Sequence, residues 1–115
     1  MTLYHFTCDH GRRAIGKAGL IQPNRRAMVP VAWFTDLPDP SDVALGLTSI
    51  LLSCDRLAHR YRVTDASDIV PWSDFGGVHP GIRAALESAR DAQPEHWFVA
   101  TRPVPARLSL GRGAA

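Results

Sequence analysis

The sequence predicts an α+β fold, and three observations predict it. Strand segments stand at residues 2–7, 31–35, 59–64 and 96–102, the first three with side chains sorted to alternate faces. Two other segments carry helix signals, one opened by Asp9 and stopped by Gly19, the other an apolar stripe at helical spacing over 81–90. The strands are scattered rather than alternating with helices, which argues against a doubly wound parallel sheet.

Each element follows from its residues. In Thr2 to Thr7, Leu3, His5 and Thr7 fall on one face of a strand, and Tyr4 and Phe6 on the other. Asp9 is the N-cap of a helix through Lys17, and Gly19 its stop. Leu20 to Pro30 holds Pro23, Asn24, Arg25, Arg26 and Pro30 and reads as a loop. Val31 to Thr35 is a second strand with Val31, Trp33 and Thr35 on one face, closed by the prolines of Asp36 to Pro40. Ser41 caps a helical stretch through Thr48; Ile50 to Cys54 is apolar and open to either reading. His59 to Thr64 is a strand with Tyr61 and Val63 inward, and Asp65 to Asp68 a turn. Ile69 to Phe75 reads as irregular, and Gly76-Gly77 as a break. Gly81 to Arg90 is an amphipathic helix whose stripe is Ile82, Ala85, Leu86 and Ala89. His96 to Arg102 is the last strand, ended by Pro103 and Pro105. The reading is one domain over 1–105 and a flexible tail over 106–115.

Composition narrows the function. The chain has 115 residues, 45% of them hydrophobic and 21% charged, which is enough for one packed domain and unlike a disordered segment. No run of about 18 apolar residues exists, so no membrane partner is expected. The first residues do not form a signal peptide, because Tyr4, His5 and Thr7 interrupt any apolar stretch; a cytoplasmic location is expected. A net charge of +2, without a basic run, makes nucleic acid an unexpected partner. Cys8 and Cys54 are expected as reduced thiols. Cys8, His10, Cys54 and His59 lack the two-residue cysteine knuckle of zinc sites, so no metal is expected.

The residues that point to chemistry lie in three segments. Glutamate occurs only at positions 87 and 95, and Glu95 stands where a turn runs into the aromatic stretch His96-Trp97-Phe98. The set Tyr4-His5-Phe6-Thr7, Trp33-Phe34-Thr35 and Glu95-His96-Trp97-Phe98, in that order and with Ile15 to Gly19-Leu20 after the first, resembles the ADP-ribosyltransferase superfamily, in particular its small bacterial and phage domains. The resemblance spans residues 2 to 105. It implies a split antiparallel sheet with two or three short helices and a nicotinamide held between the first strands and the glutamate. His5 would hydrogen-bond a ribose hydroxyl of NAD, with Thr7 on the same strand. Thr35 would position the glutamate or a ribose, and Trp33 or Phe34 would line the nicotinamide pocket. Glu95 would be the catalytic carboxylate, and a protein the macromolecular target, as in ADP-ribosylating toxins. The sequence departs from the family's His-led subclass in one respect: no tyrosine lies between Tyr4 and Tyr61 to stack on the nicotinamide.

The chemistry explains why such residues would be needed. Cleavage of the nicotinamide–ribose bond develops oxocarbenium character, and a carboxylate beside the ribose stabilises it, as in glycoside hydrolysis. The nicotinamide is cationic while attached and needs no acid to leave, so one carboxylate suffices. The alternative expectation is a non-catalytic binding or inhibitor protein on the same fold, a phage or defence-related effector of a host protein. A third expectation, RNA or 2′-phosphate processing, is disfavoured by the scattered arginines. Trp97 reads as core, and Arg25-Arg26 as a solvated pair that could meet a pyrophosphate.

Overall fold

In the computed structural model, which describes residues 1–16, 19–41, 43–45 and 55–109, seven strands form one curled antiparallel sheet. They are β1 (Tyr4–Thr7), β2 (Leu20–Ile21), β3 (Ala32–Thr35), β4 (His59–Val63), β5 (Val70–Pro71), β6 (Trp97–Ala100) and β7 (Val104–Leu108). Their order across the sheet is β2-β7-β4-β1-β3-β6-β5. Two α-helices stand among the described residues, α1 (Asp9–Gly16) and α2 (Pro80–Glu87), with 3-10 turns at Val43–Leu45, Trp72–Asp74 and Pro94–His96. The fold is α+β, as the scattered strands predict.

Strand alternation sorts side chains into two cores, one on each face of the sheet. On the first face Leu3, Tyr61, Phe34, Phe98, Ala100, Val104 and Ala106 pack with Ile15 of α1 and Ile21 of β2. On the second, Trp97, Val99 and Val31 pack with Trp72 and Val29, flanked by Trp33, Ile82 and Leu86. Arg83 of α2 fastens this second core. Its guanidinium donates to the carbonyls of Trp72 and Phe75 and lies 4.3 Å from the Trp72 ring centre.

The turns obey their residues. Gly19 has φ +63 and donates its N–H to the Ile15 carbonyl, the left-handed glycine stop expected for α1. Ser41 Oγ accepts from Ala44 N at 3.3 Å, which is the expected cap; the helical stretch is seen over Val43–Leu45, and its continuation through Thr48 lies outside the described residues, as do Ile50 to Cys54. His79 caps α2 by accepting from Gly81 N, so the helix begins at Pro80, one residue early, and ends at Glu87. Ile82 and Leu86 of its stripe pack on the second core; Ala85 is exposed.

Four segments differ from expectation. The first two residues of the expected 20–30 loop form β2, which pairs with β7. The irregular 69–75 segment contains β5 and the turn that buries Trp72. The last expected strand ends at Ala100. Beyond the expected domain boundary at residue 105, β7 continues to Leu108, with Ala106 buried and Val63 paired to it. Pro105, which has no N–H to give, stands just past the end of the β4–β7 register at Val63–Ala106; its carbonyl still accepts from Thr64 N, and Ala106 N, the next donor, reaches the Gly19 carbonyl.

Candidate functional site

The sheet has a gap at its centre. Strands β1 and β3 are registered at a single pair, Tyr4 with Thr35. On the other side β1 pairs with β4 along its full length, from Tyr4–Arg62 to Thr7–His59. Past Tyr4 the two inner strands therefore separate, and the residues at the separation line a cavity of about 260 Å³. Tyr4, His5 and Phe6 form one wall and Trp33, Phe34 and Thr35 the other; Leu45, Leu86, Trp97 and Arg56 complete it.

His5 spans the gap. Its Nδ1–H donates to the Trp33 carbonyl at 2.7 Å, replacing a ladder bond with a side chain. That bond places the proton on Nδ1 and leaves Nε2 as an acceptor in the neutral ring. Desolvation holds the His5 pKa below its usual value; the bond to Trp33 acts in the opposite sense, and the Arg56 cation adds to the lowering. The ring packs at 5.7 Å from Phe34. Neutral His5 beside cationic Arg56, between aromatic walls, suits a ligand with a flat ring, hydroxyls and an anionic group.

Of the expected site residues, the structure brings His5, Trp33, Phe34 and Thr35 to one cavity. Thr35 is buried, and its Oγ1 accepts from Leu37 N at 3.1 Å. Thr7 does not line the cavity; it is buried with its hydroxyl against Gly11 of α1. Glu95 lies in the turn Pro94–His96, directly before Trp97, and is not among the lining residues. Its side chain is 67% exposed, with Oε1 4.0 Å from His96 Nε2. His96 Nδ1 in turn donates to Asp36 Oδ1 at 2.7 Å, so an Asp–His–Glu chain runs from the end of β3 to the start of β6.

Sequence reasoning missed Tyr4, Phe6, Leu45, Arg56 and Leu86, and favoured the core over a ligand contact for Trp97. Tyr4 supplies an aromatic face from the strand that carries His5, so a ring wall exists without the helix tyrosine of the family pattern. Trp97 is both buried and cavity-lining; its Nε1–H donates to the Ala44 carbonyl at 2.7 Å, which sets Leu45 in the wall. The one available signal was spacing, since Tyr4 and Phe6 flank His5.

Other polar pairs lie elsewhere. His59 Nε2 bonds Asp9 Oδ1 at 2.5 Å and draws that carboxyl below its usual pKa. Among the described residues no group of three or more His, Cys, Asp or Glu side chains could hold a metal ion, and no helix is long and apolar enough to cross a membrane. No protein-family model, curated protein or solved structure matches the chain.

Proposed function

We propose that the chain binds NAD, or a nucleotide of the same chemistry, with its flat ring in the cavity between β1 and β3, and that it is an NAD-dependent ADP-ribosyltransferase or NAD glycohydrolase. The observation that carries the reading is His5: bonded through Nδ1 to Trp33, it keeps Nε2 as an acceptor for a ribose hydroxyl beside aromatic walls. The cavity, at about 260 Å³, is smaller than the roughly 300–1,000 Å³ of a drug-sized pocket. It therefore takes one ring and part of a sugar, not a whole dinucleotide, and the anionic remainder would extend past Arg56. Trp33, Phe34 and Tyr4 would stack on or line the ring, Thr35 would position the ribose, and Glu95, reached by a ribose carried outward from the cavity, would oppose the developing positive charge. The protein's part is to hold the ring and exclude water from it; the labile bond belongs to NAD.

The exposure of Glu95 favours a second reading, a non-catalytic binding protein on the same fold. Two measurements separate them. Calorimetry with NAD at millimolar concentration tests the cavity: wild type binds and His5→Phe loses affinity. An NAD-consumption assay then tests Glu95, where Glu95→Gln lowers turnover by about 10²-fold or more, the usual cost of removing a preorganised charge partner, and retains binding. Binding without turnover in wild type selects the second reading. No binding of NAD or nicotinamide overturns the enzyme reading and leaves the second, in which the chain acts by contact with a host protein.

A further inference from the structure

On the second face of the sheet, a row of side chains runs across five strands. Cross-strand partners in sequence are Arg107 on β7, Arg62 on β4, Tyr4 on β1, Thr35 on β3 and Trp97 on β6. The second core covers the Trp97 end of this row. At the other end Arg62 and Arg107 are exposed, directly opposite each other, and border a polar groove of about 430 Å³ with Thr64 and Ser109. The row ends in the aromatic cavity, which Tyr4, Thr35 and Trp97 line.

Like charges facing each other on neighbouring strands destabilise a sheet. Neighbouring Arg60 shows how a guanidinium is normally satisfied here. It donates to Ser109 Oγ and to the Pro38 carbonyl, stands 3.8 Å from Asp39 and lies over Tyr4 at 5.2 Å. Among the described residues, Arg62 and Arg107 have no such hydrogen bond or ion pair. Two unneutralised cations, held side by side by strand register and followed by a half-buried aromatic ring, match the backbone and a base of a single strand: phosphates at the arginines, a base against Tyr4.

We propose that this row is a binding surface for single-stranded nucleic acid, with Arg62 and Arg107 neutralising successive phosphates and Tyr4 stacking a base at the cavity mouth. The arginines lie far apart in the chain and only register brings them together. The proposal stands on this geometry and does not require that the cavity take NAD.

The test is fluorescence anisotropy with labelled RNA and DNA single strands of about ten nucleotides, measured without NAD. Two neutralised phosphates give a slope of roughly −1.4 in log affinity against log salt, or about a sevenfold weakening between ~50 and ~200 mM. Arg62→Gln/Arg107→Gln abolishes that salt dependence and weakens binding. Tyr4→Leu weakens binding and leaves the slope unchanged. The matched change on α1, Arg12→Gln/Arg13→Gln, leaves binding at the wild-type level. Failure of wild type to bind either strand overturns the proposal, as does equal weakening by the Arg12/Arg13 pair. Duplex bound as tightly as single strand, or anionic vesicles bound in place of oligonucleotides, overturns it too. Because NAD is absent throughout, none of these results bears on turnover.

Discussion

His5 closes the sheet where the backbone ladder has stopped, so its charge state and the stability of the fold are coupled. Its Nδ1–H serves the Trp33 carbonyl in either protonation state; what a second proton costs is desolvation of the cation and repulsion from Arg56. The folded pKa is therefore below the ordinary 6.5, and the unfolded chain binds more protons as pH falls. Stability from this group is fully present above the unfolded value and is lost as pH drops through the folded one. Urea midpoints measured from about pH 8 down to about pH 5 are expected to fall in wild type and to fall less in His5→Gln, whose amide can still donate to Trp33. Equal acid sensitivity in the two proteins would show that His5 is not the titrating group. Four residues of the cavity were legible in sequence through the resemblance carried by two short stretches, Tyr4-His5-Phe6-Thr7 and Trp33-Phe34-Thr35. Arg56 was not, since it reaches the site from the approach to β4, and nothing in a single arginine announces a neighbour that distant. Thr7 was misplaced because strand alternation sets its face and not its depth: it shares a face with His5 but sits under α1.

That depth is set by the packing of α1 on β1. A methyl group at Gly11 would stand 1.8 Å from Thr7 Oγ1, so the helix approaches the strand as closely as it does only because position 11 lacks a Cβ. Two effects compete on Gly11→Ala. Helix propensity favours alanine by about 1 kcal/mol, whereas overpacking a closed site costs about 1–3 kcal/mol, and a contact this short belongs at the upper end. A net loss of about 1–2 kcal/mol is expected. In a Thr7→Ala background the hydroxyl is gone and the nearest atom is the Thr7 Cβ at 3.0 Å, so the same substitution should cost little or stabilise. Chemical denaturation of the four proteins of that cycle decides it, and equal effects in both backgrounds would place the constraint elsewhere. Elements were legible in proportion to their length. β1, β3, β4 and β6 run for four or five residues and are rich in aromatic side chains; β2 and β5 are two residues each and have no pattern to read. β7 was obscured for another reason: Pro103, Pro105 and Arg107 look like a chain leaving the domain, yet β7 exposes Arg107 on the open face and buries Ala106 on the other.

The position of β7 makes the fold a property of the whole chain. Among the described strands β1 is the central one of seven, and β7, the most C-terminal of them, inserts between β2 and β4. No contiguous part of the sequence contains a finished sheet, and the first core stays open until Val104 and Ala106 arrive. A chain ended at Pro105 keeps Val104 and loses Ala106, the bond from Ala106 N to the Gly19 carbonyl and the bond from Ser109 N to the Arg60 carbonyl. It also loses the Ser109 hydroxyl that holds the Arg60 guanidinium. A domain of this size has about 5–15 kcal/mol of stability to lose. Exposing the edge of β4 that pairs with Ala106, Arg107 and Leu108, and losing the Ala106 bond beside β2, should remove enough of it to abolish a cooperative melt. Ala106→Asp in the full-length chain provides the control, since it keeps every backbone group and places a carboxylate at a buried position. Circular dichroism melts of the two variants beside wild type are expected to show both without a cooperative transition or with one far lowered. A 1–105 chain that melts like the full protein, with Ala106→Asp equally unaffected, would mean that the sheet closes its core without β7's outer half. The domain would then end where the prolines suggest.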